Sequence, residues 1–196
     1  MRRLVTMPVS IAAAMLALPA GATPIVFFGN MDGPSESPPI ASAGTGWARA
    51  TIDETALTMR VEVAFEGLTG NVTASHIHCC TTDPLAGTAG VATPTPSFPG
   101  FPAGGTAGVY DRTFDMTLAS SYRAGFITAN GGTPAGAFAA LLAGLNADKA
   151  YLNVHTTFAP GGEIRGFLVR VPEPGSLALL GLGLAGLGLA RRRRRD

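Results

Sequence analysis

The segment "LTMRVEVAFEGL" constrains the fold more than any other part of the chain. Leu57, Met59, Val61, Val63 and Phe65 alternate with Thr58, Arg60, Glu62, Ala64 and Glu66. A period of two sends successive side chains to opposite faces, so this is a strand with one apolar and one polar face. Further strands are expected in "TPIVFFGN" (23–30), from Trp47 to Ile52, from Val72 to His78, and through Phe114, Met116 and Leu118. "KAYLNVHT", a tight "FAPGG" turn and "EIRGFLVR" predict a terminal hairpin. Only "TPAGAFAALLAGLNA" reads as a helix, with Thr133 as cap, Pro134 in the first turn and Gly144 at the end. Residues 79–110 form a long irregular stretch rich in Pro and Gly, and loops of that length tend to be functional or mobile. The expected fold is mainly β: an antiparallel β-sandwich or barrel with one short helix, flanked by an N-terminal signal and a C-terminal short transmembrane helix.

Both ends are built differently from the middle. Residues 1–22 carry Arg2 and Arg3, then an apolar run, then Ala20-Gly21-Ala22, the three parts of a secretory signal. Ala20 and Ala22 mark the expected cleavage by signal peptidase, before Thr23. The apolar run is interrupted by Pro19, whereas about 20 apolar residues are needed to span a bilayer. At the other end, residues 171–196 run from a turn-forming stretch into apolar Leu177 to Ala190, then Arg191, Arg192, Arg193, Arg194 and Arg195. That apolar stretch is only about two-thirds of an ordinary span. The arginines should stay cytoplasmic, so the segment reads as a stop-transfer tail held in the inner membrane.

The whole chain has a formal net charge of +1, but the ends distort it. Between Thr23 and Val171, seven Lys and Arg stand against eleven Asp and Glu, a net charge of −4. No basic patch remains, so a nucleic-acid partner is not expected. The body fits one domain, taken as 23–170. It contains no Gly-x-Ser-x-Gly elbow, no phosphate loop and no His-Glu-x-x-His, so no catalytic residue is assigned.

Pro172-Glu173-Pro174, a short apolar helix and the arginine cluster resemble a bacterial PEP-CTERM sorting signal. The resemblance implies recognition by an exosortase and cleavage near Pro172, Glu173 and Pro174. It also implies passage from the inner membrane to the cell surface or extracellular matrix of a Gram-negative-type bacterium. The body carries a second resemblance. "SHIH", then Tyr151 to Thr156 and Pro160 to Gly166, are similar to the CHRD domain, a module named from chordin. Its family motif falls here on Asn153, His155, Thr156, Gly161, Gly162, Glu163, Arg165 and Gly166. The sequence departs from the family at Cys79-Cys80, where Gly-Pro is usual after the second histidine. The family implies an extracytoplasmic β-sandwich and no established reaction.

Chemistry must be built from few parts: His76, His78, His155, Cys79 and Cys80 are the chain's only histidines and cysteines. Residues two apart on a strand share a face, so His76 and His78 project side by side, and Tyr151, Asn153 and His155 do the same. If the two strands adjoin, three imidazoles converge, a donor set suited to copper or zinc. A His-x-His strand is also similar to the copper side of Cu/Zn superoxide dismutases, although that enzyme's fourth histidine and bridging ligands have no counterpart. The preferred reading has the histidines bonding backbone or Glu163 and fixing the hairpin, with Asn153 and Thr156 locking the strand end. Glu163 and Arg165 should share a face, with a role in positioning His155. The cysteines leave open a vicinal disulfide, intermolecular pairing or free thiols. Two functions are expected from this: a non-enzymatic surface module binding a protein, a polysaccharide or another copy, or alternatively a copper-binding or redox domain.

Overall fold

The computed structural model describes residues 23–172 and 175–193. The expected N-terminal signal, with Ala20 and Ala22, lies outside the described residues. The body is one antiparallel sheet of eight strands: β1 (Ile25–Asp32), β2 (Thr45–Asp53), β3 (Thr58–Glu66), β4 (Val72–Cys79), β5 (Gly108–Asp115), β6 (Ala150–Thr156), β7 (Ile164–Phe167) and β8 (Val169–Arg170). The strand order is β4-β6-β7-β1-β2-β3-β5, with β8 pairing β1. Two helices lie between β5 and β6, α1 (Ala124–Ala129) and α2 (Pro134–Asn146), and α3 (Ser176–Arg193) follows the body.

The period of two in β3 works as expected. Met59, Val61, Val63 and Phe65 are buried, and β2 opposes them with small residues: Ala50 faces Val61 and Ala48 faces Val63. Small against large lets the facing side chains interdigitate at interior density. Leu57 departs from the pattern. It sits at φ 52° in the turn before β3 and is 39% exposed, because Asp53 Oδ1 accepts from the amides of Thr55 and Ala56 and closes the chain tightly there. The strand expected through Leu118 begins and ends earlier. Leu118 N–H bonds Asp115 O and opens a short 3-10 turn (Ala119–Ser121), leaving Leu118 exposed while Met116 stays buried.

α2 starts where the sequence places it. Thr133 Oγ1 accepts from Gly136 N at 3.1 Å, and Pro134 occupies the first turn. It buries Ala137, Phe138, Leu141, Gly144 and Leu145, one face at helical spacing. Gly144 does not end the helix, which continues to Asn146. A Cβ at 144 would collide with the sulfurs of both Cys79 and Cys80, so the residue is glycine because the end of β4 packs directly on the helix backbone. The other helix before β6, α1, has no side-chain cap and only six residues, so it leaves no pattern to read in the sequence.

The long 79–110 stretch is structural over much of its length. Ala92 N and Phe98 N donate to Ile77 O and Ser75 O of β4, and Thr93 Oγ1 accepts from Ile77 N. Gly104 and Gly105 exchange bonds with Val72 before the chain enters β5. The outer edge of β4 is thereby satisfied rather than left open to another chain. Beyond the body, α3 carries the apolar stretch and its first arginines. Among the described residues, no helix is long and apolar enough to cross a membrane.

Candidate metal centre

β4 and β6 are direct neighbours, in a register that sets His76 opposite Asn153, His78 opposite Tyr151 and Ala74 opposite His155. Directly opposed residues of an antiparallel pair point to the same side. His76, His78, Tyr151, Asn153 and His155 therefore share one face, while Ile77, Leu152 and Val154 are on the other, in the core. His155 opposes Ala74, so it stands diagonally across from His76, two residues along the face, and the bulge between Val72 and Ala74 falls beyond it. One ring nitrogen from each histidine lies within 4.8 Å of the others.

The other nitrogen of each ring is committed. His76 Nε2 is 2.8 Å from Pro96 O, His78 Nδ1 is 2.8 Å from Ala89 O, and His155 Nδ1 is 2.8 Å from Pro160 O. A carbonyl only accepts, so each of these nitrogens carries the proton and donates. Burial holds all three imidazoles below the usual pKa, His76 down to about 4, so they are neutral at pH 7. A neutral ring that donates from one nitrogen has a lone pair on the other. His76 Nδ1 and His155 Nε2 thus face each other lone pair to lone pair at 3.2 Å, and His78 Nε2 is buried with no partner. Ligands about 2.0–2.1 Å from a tetrahedral ion stand roughly 3.3–3.4 Å apart, close to the His76–His155 spacing. Backbone carbonyls holding the far nitrogens are the usual supports of metal-bound histidine.

Around this cluster the structure rearranges the expected roles of the acidic and basic residues. Glu163 touches no histidine. Fully buried, it accepts from Ser42 Oγ, Thr69 N, Gly70 N and Thr156 Oγ1, tying the β1–β2 loop, the β3–β4 loop and the end of β6 together. Burial would raise its pKa, but these bonds outweigh that and hold the carboxyl below its usual range. Arg165 does not pair with Glu163 either. It donates to Ser35 O and Gly87 O, approaches Glu36 at 3.8 Å, and lies 4.8 Å over the ring of Tyr151. Tyr151 in turn stacks on His78 at 4.9 Å between centroids, so Arg165 supports His78 and not His155.

Glu36 is the residue that sequence reasoning missed. It is a lone acid in a Pro/Ser-rich loop, with no spacing to single it out. It is nevertheless buried, and burial pushes its pKa up to about 7, with Arg165 and hydrogen bonding from Ser37 and Asn153 pulling it back. Of the remaining motif residues, Thr156 Oγ1 accepts from Ala159 N, and Gly161 O accepts from Asn153 Nδ2. Gly162 has φ 133°, a conformation suited to glycine, and a side chain there would strike Glu36 and Asn153. A Cβ at Gly166 would meet Asn30 O, so β7 can lie against β1 only with glycine at that point.

Cys79 and Cys80 are joined to each other in a vicinal disulfide next to His78. Pro172 lines a groove on the β1 side of the sheet, Arg191 and Arg192 are exposed on α3, and Arg193 ends that helix. Glu173, Pro174, Arg194 and Arg195 lie outside the described residues.

Two family models match the chain. The CHRD domain covers residues 27–168, and the PEP-CTERM protein-sorting motif covers residues 170–195. No curated protein and no solved structure matches it. The sorting motif marks an exported protein, anchored in the membrane as a precursor and processed by exosortase. Since the domain match takes in β1 from its third residue and every strand from β2 to β7, leaving out only the two-residue β8, the chain belongs to the CHRD domain family and carries a PEP-CTERM sorting motif behind it.

Proposed function

We propose that this protein is a module of the cell surface or extracellular matrix whose CHRD domain holds one first-row transition-metal ion on His76, His78 and His155. One observation carries the reading: two neutral imidazoles present lone pairs to each other at 3.2 Å, with both far nitrogens fixed on carbonyls. Like partial charges at that distance repel unless a cation lies between them. Three neutral nitrogens suit copper or zinc, and with both cysteines tied in their own disulfide no thiolate competes for the ion. The residues supply binding; no reaction is assigned to them.

Chelator-stripped mature protein should take up one equivalent of copper(II) or zinc(II) per chain by calorimetry and elemental analysis. Uptake of neither ion at micromolar concentration ends the metal reading. The surface placement has its own test. Deleting residues 172–196 should release the domain into the soluble exported fraction, whereas an unchanged surface signal removes the sorting claim.

A further inference from the structure

Among the described residues, three buried side-chain atoms lack a hydrogen-bond partner: His78 Nε2, Asn153 Oδ1 and Glu36 Oε1. They are not scattered. Asn153 sits at the centre of the histidine face, opposite His76 on β4 and two residues before His155 on β6. Its side chain borders Glu36 across Gly162. The amide has one orientation open to it. Gly161 O can only accept, so the group 3.4 Å from it is Nδ2, and Oδ1 is turned to the other side. That oxygen is buried with no hydrogen-bond partner, on a residue whose strand position puts its side chain on the histidine face.

The cluster therefore holds four acceptors and no donor: His76 Nδ1, His78 Nε2, His155 Nε2 and Asn153 Oδ1. A bridging water brings two protons and leaves at least two of the four unsatisfied. Asn153 is 2% exposed, so its amide oxygen has no bulk water to turn to. One cation satisfies all four at once.

We propose that Asn153 Oδ1 is the fourth donor of the centre, and that the resulting all-neutral set of three imidazoles and one amide oxygen is a copper site. This rests on the three-histidine reading above. Zinc sites complete their tetrahedron with thiolate, histidine, carboxylate or water, whereas copper accepts a weak amide or carbonyl oxygen at its remaining position. Copper(II) also stands at the top of the affinity order for such nitrogen donors. The donor set carries no charge, and Arg165 beside Tyr151 is faced by Glu36 at 3.8 Å, so the four donors themselves leave the ion's charge uncompensated. A site of this kind favours the singly charged cuprous state more than a carboxylate-containing one does.

The test uses the full mature chain loaded with copper(II), with folding checked by circular dichroism. Asn153→Ala should still bind one copper per chain, about tenfold more weakly, with a changed hyperfine splitting in electron paramagnetic resonance and a shifted d–d band. Asn153→Asp puts an anionic oxygen in the same place and should bind copper(II) at least tenfold more tightly while lowering the reduction potential. If the wild type binds copper and both variants match it in spectrum and affinity, the assignment of Asn153 is wrong and the three-histidine site stands. If the alanine variant does not fold, an aspartate variant with unchanged affinity and potential overturns it alone. A wild type that takes up no copper overturns both readings.

Discussion

Replacing Glu163 with alanine will destabilise the protein by about 2–6 kcal/mol, the cost of leaving its buried hydrogen-bond donors without an acceptor. Four donors converge on this carboxylate, two backbone amides and two hydroxyls, drawn from segments as far apart as Ser42 and Thr156. Alanine leaves the Gly70 amide and the Thr156 hydroxyl buried without their acceptor, and each orphaned donor costs about 1–3 kcal/mol. A domain with about 5–15 kcal/mol of total stability loses a large share of it. Glu163→Gln should cost less, because one oxygen survives, but its amide group then faces a donor and one bond is lost. Urea unfolding followed by tryptophan fluorescence reads both, using the single Trp47. A midpoint for the alanine variant within about 1 kcal/mol of wild type would show that the carboxylate is not the tie that its hydrogen bonds describe.

The second large effect falls on metal binding. Changing His76, His78 or His155 singly to alanine should weaken copper binding at least a hundredfold, since each removes one of three strong donors. The consequence for stability is direct. A ligand present at 100 times its dissociation constant stabilises the native state by about 2.7 kcal/mol, so wild type should show a clear copper-dependent rise in melting temperature. At the same copper concentration each variant should show almost none. His155→Ala is the cleanest of the three, because His155 is only half-buried and its removal opens the smallest cavity. All three also donate to a carbonyl, of Pro96, Ala89 or Pro160, but His76 and His78 are buried, so their loss should lower the metal-free stability more. A copper-dependent shift that survives in all three variants would remove the ion from this face.

The elements with a strong local signal are legible in the chain itself. The alternation in β3, the Thr133-Pro134 start of α2 and the hairpin around Pro160-Gly161-Gly162 each depend on a few adjacent residues, and all three form. The tripartite C-terminal signal and the Tyr151–Gly166 motif likewise point to the two families that match. Local reasoning goes astray where geometry is fixed from a distance. Gly144 reads as a helix stop, yet packing against the Cys79 and Cys80 sulfurs explains it. Glu163 and Arg165 read as sharing a face beside His155. The actual partner of Arg165 comes from the loop after β1, and those of Glu163 come from three other segments.

The histidine site divides along the same line. A period of two on each strand makes His76 and His78 neighbours, and likewise Asn153 and His155, wherever those strands come to lie. That is a property of the extended backbone. Which strand lies beside which, and in what register, is decided by long-range pairing, and only that pairing brings β4 against β6 and closes the three imidazoles together. The tautomers are further out of reach. They follow from the carbonyls of Ala89, Pro96 and Pro160, which every residue possesses and which a sequence therefore cannot signal. The donor atoms are written in the chain. The tertiary fold alone orients their lone pairs, because hydrogen-bond direction depends on position in space and not on order along the backbone.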